Sequence, residues 1–375
     1  MKLHDVIVVG AGPAGIAAAK VLSIAGLDVL LLDKSASPRD KGCGGGLTPR
    51  SIKLLKRLFP NFSYPKNIVN TLEFGQIQNK SFKPVHMVRI KSDIHVVNRK
   101  NFDNLLLKEA QKYGINYSVD KVKSITVENN SFIVEGHEKY SSVYVVVACG
   151  VFGPKLLKLP ETEFEVPSFS FVYHTTKTTE NNVIRVGFFS DGYFWHFPQI
   201  KGSISGMGFY NKKNNDLQMV KDILKETAKR IKTSVIPLFE AEKSFKNNNS
   251  FDGCLFAGDS AGFIDNWTGE GISFALKSGM EAASAIIKNF SKPAKINDQY
   301  LYNIRKMAKH LILADSFRKT FYSNFPVNID LLREKRLLKL LISYISSFSE
   351  SANLLFLKSI FVRTPDSIHY LQDTE

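Results

Sequence analysis

Apolar residues fall into two patterns along this chain, short unbroken runs and longer amphipathic stretches, and their order predicts the architecture. Val6-Ile7-Val8-Val9, Tyr144 to Ala148 and Phe251 to Ala257 are compact runs suited to parallel strands buried on both faces. Asp28 to Leu32 reads as another strand. Helical spacing runs from Pro13 to about Gly26, from Ser51 to about Phe59 before Pro60, and from Lys100 to Tyr113 before Gly114. In the last of these, Phe102, Leu105, Leu106 and Ala110 make one apolar face. Shorter strands are predicted around Leu72 to Phe74, His86 to Arg89, Ile115 to Val119, Val122 to Val127 and Phe132 to Glu135, with a turn at Asn129-Asn130.

Beyond Phe164 the pattern changes to all β. Phe169 to Thr175, Val183 to Phe189, Gly192 to Phe197 and Ser203 to Tyr210 predict one antiparallel sheet, followed by a helix over Leu217 to Ile231. Gly269 to Phe290 is a long helix and Pro293 marks a boundary. Three more helices are predicted over Asp298 to Phe321, Ile329 to Ser347 and Ala352 to Val362. The fold class is therefore α/β, with a discontinuous Rossmann-type domain (1–70, 96–160 and 248–292) and an inserted β-sheet substrate domain (71–95 and 161–247). Residues 293–375 form a C-terminal helical region.

Two glycine-bearing turns give this pattern chemical meaning. Gly10-Ala11-Gly12-Pro13-Ala14-Gly15 follows the first strand at once and opens the first helix. Gly10 permits the tight turn, Gly12 lets the backbone approach a pyrophosphate, and Gly15 allows close helix–strand packing. Free N–H groups at the helix start favour a diphosphate. The next strand ends at Asp33, placed to accept hydrogen bonds from both ribose hydroxyls of an adenosine. The second turn, Gly258-Asp259, ends a buried strand, so Asp259 reads as a polar ligand for the same dinucleotide or as a plain helix N-cap.

Composition narrows the class. At 375 residues with 28 Phe and 13 Tyr, the chain has ample material for two or three packed units. Three cysteines (Cys43, Cys149, Cys254) form no C-x-x-C pair and suit a reducing cytosol. No apolar run reaches the roughly 20 residues needed to span a bilayer, and no secretory signal precedes the first strand. These features predict a cytoplasmic protein, with a peripheral place on the inner face of the membrane as the extension. The net charge of +15 favours anionic partners, but the lysines are scattered and no nucleic-acid module accompanies them. No metal-ligand spacing, P-loop or G-x-S-x-G elbow is present.

The pairing of GAGPAG, the Arg99-Lys100-Asn101-Phe102-Asp103 segment and FAGDSAG resembles the p-hydroxybenzoate hydroxylase-type FAD fold. KGCGGGLTPR, Tyr193-Phe194-Trp195-His196-Phe197-Pro198 and GDSAGFIDNWTGEGI resemble its geranylgeranyl reductase branch. The resemblance implies FAD as cofactor, with Arg99 against its phosphates or adenine side and Cys43 with Gly44 to Gly46 along the flavin edge. It implies that Tyr193, Trp195, Phe197 and Pro198 wall a pocket for an isoprenoid chain. The full cofactor-binding set expected is Gly10, Ala11, Gly12, Pro13, Ala14, Gly15, Asp33, Lys34, Cys43, Gly44, Gly45, Arg99, Val122, Ala148, Gly150, Gly258, Asp259, Gly269, Gly271 and Ile272. Gly269 to Ile272 would supply backbone N–H groups to the flavin's pyrimidine edge.

The chemistry implied is reduction of isoprenoid C=C bonds, for which a hydride goes to one carbon and a proton to the other. Cys43 is the candidate catalytic thiol, and an ordered water is the alternative proton source. Cys149 and Cys254 are expected to be buried and inert, and His196 to be structural. The Asp-Gly pair of the hydroxylases is replaced here by Ala148-Cys149-Gly150, which weakens a monooxygenase or halogenase reading. Three scattered cysteines cannot build the iron–sulfur centre of a quinone-type electron-transfer flavoprotein. A prenyl-lipid carrier keeping FAD as a structural ligand is a further alternative. The electron donor is NADPH, ferredoxin or another redox carrier protein. Leu337 to Val362 reads as a helical cap or as a membrane-surface element that admits lipid.

Overall fold

A computed structural model describes residues 2–61, 69–78, 83–157, 168–175, 182–190, 192–209 and 230–323. The helices expected over Ile329–Ser347 and Ala352–Val362, and the body of the one expected over Leu217–Ile231, lie outside these residues.

Two sheets organise the chain. The first contains β1 (Leu3–Val9), β2 (Val29–Asp33), β6 (Asn116–Val119), β7 (Ser124–Glu128), β8 (Ser131–Glu135), β9 (Lys139–Val147) and β15 (Cys254–Phe256), in the order β6-β2-β1-β9-β8-β7. β6, β2, β1 and β9 are mutually parallel, as expected for unbroken apolar runs flanked by helices. β9 divides its second edge: Lys139 to Ser142 pair antiparallel with β8, while Val145 to Val147 pair parallel with β15. Asn129 and Asn130, both at positive φ, make the turn between β7 and β8.

The helices α1 (Pro13–Ile24), α2 (Pro49–Leu58), α3 (Arg99–Gln111), α4 (Ala241–Asn248), α5 (Ile272–Lys288) and α6 (Ile296–Ser323) surround this sheet. One continuous apolar core joins β1, β2, β9 and β15 to α1, α2, α3, α5 and the first half of α6. α1 and α5 cross closely because Gly279 has no side chain: a Cβ there would lie 2.1 Å from the Ala14 carbonyl oxygen. Lys20 of α1, buried between the rings of Phe59 and Tyr113, donates to the Leu58 carbonyl and ties three segments together.

The second sheet has the order β14-β10-β13-β12-β11-β4-β5-β3, with β3 at Gly46–Leu47, β4 at Val69–Gln78, β5 at Pro84–Val97 and β10 at Ser168–Thr175. β11 (Val183–Phe189), β12 (Gly192–Pro198), β13 (Ser203–Phe209) and β14 (Arg230–Ile236) complete it. It is antiparallel except where β11 runs parallel to β4. The short strands expected near Leu72 and His86 are thus parts of two longer ones. Val96 and Val97 end β5, and the helix expected from Lys100 begins at Arg99, directly after Asn98, whose side chain caps it.

Three other boundaries differ from the sequence reading. Arg230 and Ile231, expected to close a helix, begin β14, where R-I-K-T-S-V-I pairs with β10. The strand expected from Phe251 begins at Cys254, because Gly253 turns the chain at φ 83°. Pro293 is no domain boundary: α6 follows it directly, and its Ile296, Tyr300, Ile304, Met307 and Leu311 enter the main core. At about 42 Å, this helix also reaches the second sheet, where Phe317 and Phe321 meet Trp267 and Phe188.

Candidate active site

The first glycine turn folds as its spacing dictates. Gly10 sits at φ +108°, with the Ala148 carbonyl oxygen 2.4 Å from where a Cβ would be. At Gly15 a Cβ would lie 1.7 Å from the Gly10 oxygen, so strand and helix meet backbone to backbone there. Gly12 is different: only the Arg39 guanidinium, at 3.8 Å, approaches its missing side chain. Gly12 is also the N-cap of α1, with no side chain capping the helix. Ala11 donates to Asp33 Oδ2 at 2.7 Å and Pro13 has no N–H, so the amides of Gly12, Ala14 and Gly15 are left without a partner among the described residues. These amides, an open space above Gly12 and a positive helix end fit a diphosphate.

Asp33 is buried at the end of β2, with Oδ1 accepting from Ser35 N at 3.1 Å. Arg39 closes on its Oδ2 at 3.2 Å. Arg39 was not singled out from sequence, although a cation in the glycine-rich loop after a dinucleotide fingerprint was the available signal. Lys34 is exposed beside this carboxylate. The chain leaving β6 runs alongside, with Asp120 N donating to the Asp33 carbonyl, and it brings Val122 half-buried against the core.

The second turn lies across from the first. Gly258, at φ +61°, packs against Ala14 of α1 and Ala275 of α5 and donates to Ser278 Oγ at 2.9 Å. Asp259 is thereby set between the two helix starts, with Lys41, also unpredicted, 3.7 Å away. Gly150, at the end of β9, exchanges hydrogen bonds with Ser260 at 3.1 and 2.9 Å and faces open space. Ala148 is buried beside Gly10.

The GEG segment requires a correction. The helix begins at Ile272, because Gly269 is at φ +68° and Gly271 is the N-cap. Gly269 N donates to the Asp265 carbonyl and Glu270 N to Thr268 Oγ1. Neither amide is available to a ligand, whereas those of Gly271 and Ile272 have no partner among the described residues. Gly269 serves another purpose: the Tyr193 hydroxyl lies 1.9 Å from where its Cβ would be.

Tyr193, Trp195 and Phe197 do share one face of β12, with ring centroids 5.6 and 6.2 Å apart. That face packs on both glycine loops at once. A Cβ on Gly44 would meet Trp195 Nε1 at 2.7 Å and Phe197 at 2.9 Å, and Phe197 also covers Gly46. The buried Trp195 Nε1 has no hydrogen-bond partner among the described residues. Pro198 is buried at the strand end, its carbonyl accepting from Asn70. His196 faces the other way, bonded to Ser205 at 2.8 Å, and burial with Arg185 nearby pushes its pKa down to about 4.

Cys43 is half-buried in the same loop, its Sγ accepting from Gly45 N at 3.4 Å. Arg99, expected against the phosphates, forks onto Asp103 with two bonds of 2.8 Å and lies against Cys43. Burial opposes its charge, but Asp103 and Cys43 together hold the guanidinium above its ordinary pKa. Burial raises the Tyr193 hydroxyl's pKa, and Asp265 and Cys43 add to the effect. Cys149, expected to be buried, follows β9 and is exposed, whereas Cys254 is buried and its thiol is pushed up to about 12.

The description of a known family model, the FAD binding domain, matches residues 4–138. A digeranylgeranylglycerophospholipid reductase of Methanocaldococcus jannaschii is 28% identical over 323 residues, covering 79% of each chain. An uncharacterised protein of Methanosarcina barkeri is 30% identical over 347 residues, covering 88% of this chain and 87% of that one. The chain belongs to the geranylgeranyl reductase family of FAD-dependent oxidoreductases. Among solved structures, a geranylgeranyl bacteriochlorophyll reductase-like protein from Thermoplasma acidophilum superposes with a TM-score of 0.78 at 19% identity, covering 97% of this chain and 98% of that one. The flavin-dependent brominase Bmp2 follows at 0.74 and 16%, covering 96% of this chain and 99% of that one. The fold is therefore common to reductases and halogenases of this type.

Proposed function

We propose that this protein reduces C=C bonds in a geranylgeranyl-type isoprenoid chain carried by a membrane lipid or its precursor. The observation that carries this reading is the aromatic face of β12, which packs against Gly44 on one side and Gly269 on the other. An apolar wall between the two loops that flank a flavin suits a substrate with no polar handle along its length. The name of the Methanocaldococcus relative supports the same substrate class.

FAD would be held by the Gly12, Ala14 and Gly15 amides at its diphosphate, by Asp33 at a ribose, by Asp259 at the ribityl chain and by the Gly271 and Ile272 amides at the pyrimidine edge. When reduced, it supplies the hydride. The residues of this chain do the rest. Trp195 and Phe197 hold the isoprenoid and exclude water, while Cys43, or a water beside it, delivers the proton to the other carbon. Arg99 would then face the negative charge left on sulfur. The electron donor in this scheme is NADPH or ferredoxin, and the lipid is taken up from the inner face of the membrane. No helix among the described residues is long and apolar enough to cross that membrane.

The test is anaerobic. The yellow protein is reduced with dithionite, freed of excess and mixed with a geranylgeranyl lipid, and flavin absorbance is followed beside lipid mass. Reoxidation with a gain of two hydrogens per double bond is the expected result. A flavin that stays reduced until air is admitted, then reoxidises at once, overturns the proposal in favour of oxygen chemistry.

A further inference from the structure

Behind the start of α5 lies a buried charged cluster that the cofactor contacts above do not use. Arg50, from the first turn of α2, donates to Glu270 Oε2 at 3.2 Å, and both side chains are more than nine-tenths buried. Glu270 Oε1 accepts from Ser273 N at 2.8 Å, Oε2 from Ser273 Oγ at 2.5 Å, and Ser51 Oγ approaches Oε1 at 3.4 Å. On the other side of Arg50, Nη1 lies 2.9 Å from His310 Nε2 of α6, and that nitrogen is 3.6 Å from Asp265 Oδ2. Guanidinium nitrogens only donate, so His310 Nε2 accepts and the ring is neutral. Burial, opposed by Asp265 and assisted by Arg50, lowers the His310 pKa in keeping with that form. The Phe274 ring covers the guanidinium at 4.9 Å.

We propose that Arg50 and Glu270 are positioning residues that aim the Gly271 and Ile272 amides at the flavin and set its affinity for electrons. This rests on the FAD reading above. Three chain segments, one of them more than 200 residues from the other two, are joined here by hydrogen bonds to one carboxylate and one guanidinium. Such a buried pair contributes little net stability over apolar replacements of similar volume, so stability alone is a weak reason for it. Its geometry selects the amides left free. Glu270 takes the Ser273 N–H, Asp265 Oδ1 takes those of Trp267 and Thr268, and the Asp265 carbonyl takes that of Gly269. The Asp265–Gly271 loop is thus fixed at both ends, and the unspent donors are the two adjacent amides at the α5 N-cap. Charge behind those amides acts on the negative charge that accumulates at a flavin's pyrimidine edge on reduction.

The sign of that action makes the proposal testable. Midpoint potentials of bound FAD are read anaerobically against a reference dye, and FAD dissociation constants by flavin fluorescence. Glu270→Gln removes a negative charge and leaves Arg50, so reduced FAD should be favoured about tenfold, an upward shift of about 30 mV for a two-electron couple. Arg50→Gln removes the cation and should shift the potential by a similar amount in the opposite direction. Loosened packing would move both variants the same way, so shifts of one sign, or unmoved potentials with FAD bound, overturn the proposal. Should Arg50→Gln fail to fold, Glu270→Gln decides alone: an upward shift supports the proposal and an unmoved or lowered potential overturns it. A wild-type chain that takes up no FAD overturns this proposal and the functional reading together, whereas FAD uptake with unmoved potentials overturns only this one.

Discussion

Helices α2 and α3 begin in one way and helices α1 and α5 in another. Thr48 accepts from Ser51 N at 3.3 Å and Asn98 from Asn101 N at 3.3 Å, so the first two carry side-chain caps. The N-caps of α1 and α5 are Gly12 and Gly271, and neither offers a side chain. A side-chain cap is worth about 1 kcal/mol over alanine but only about a few tenths over glycine, so Gly12 and Gly271 leave their helix starts open at little cost. At α1 and α5, whose starts converge on Gly258 and Asp259, the amides of Gly12, Ala14, Gly15, Gly271 and Ile272 are left without a partner among the described residues. The capped helices are finished by the chain itself, and on the functional reading proposed above the Gly12 and Gly271 starts are the ones that a cofactor would finish.

That comparison is broken most directly at the first glycine turn. Gly12→Val adds a side chain where the chain has room, at φ −84°, and only Arg39 lies near. The expected outcome is a folded protein with unchanged secondary structure whose FAD affinity falls at least a hundredfold, measured by fluorescence titration. Gly15→Ala should do the reverse of a selective lesion. Its methyl would lie 1.7 Å from the Gly10 oxygen, so the whole β1–α1 unit must shift, at a cost of about 3 kcal/mol or more in urea unfolding. If Gly12→Val binds FAD as wild type does, the uncapped start of α1 is not a diphosphate site.

Much of this arrangement could be read from sequence, because the strands β1, β2 and β9 are unbroken apolar runs and the glycines recur at fixed spacing. What escaped was long-range. Arg230 and Ile231 look helical beside Lys229, and only pairing with β10 makes them a strand. Gly269 and Gly271 look equivalent in G-E-G-I, yet the Asp265 carbonyl consumes one amide and leaves the other. Lys41, Arg50 and Glu270 gave no local signal of their partners, which lie in other segments. Tyr193, Trp195 and Phe197 are the opposite case, since period-2 spacing on one strand fixes their shared face without help from elsewhere.

The capped helices supply the smaller and sharpening test. Thr48→Ala removes the side chain that accepts from Ser51 N and should cost about 1 kcal/mol of stability. Asn98→Ala should cost a similar amount at α3. In neither case should the FAD dissociation constant change by more than about twofold, since neither cap touches the Gly12 or Gly271 amides. Asn98→Ala is the stricter of the two, because it loosens the helix that carries Arg99 while leaving the Arg99–Asp103 fork intact. If that variant weakens FAD tenfold, the helix start at Asn98 belongs with Gly12 and Gly271 as part of the cofactor site. The division between chain-finished and cofactor-finished helices would then have to be redrawn with α3 on the other side.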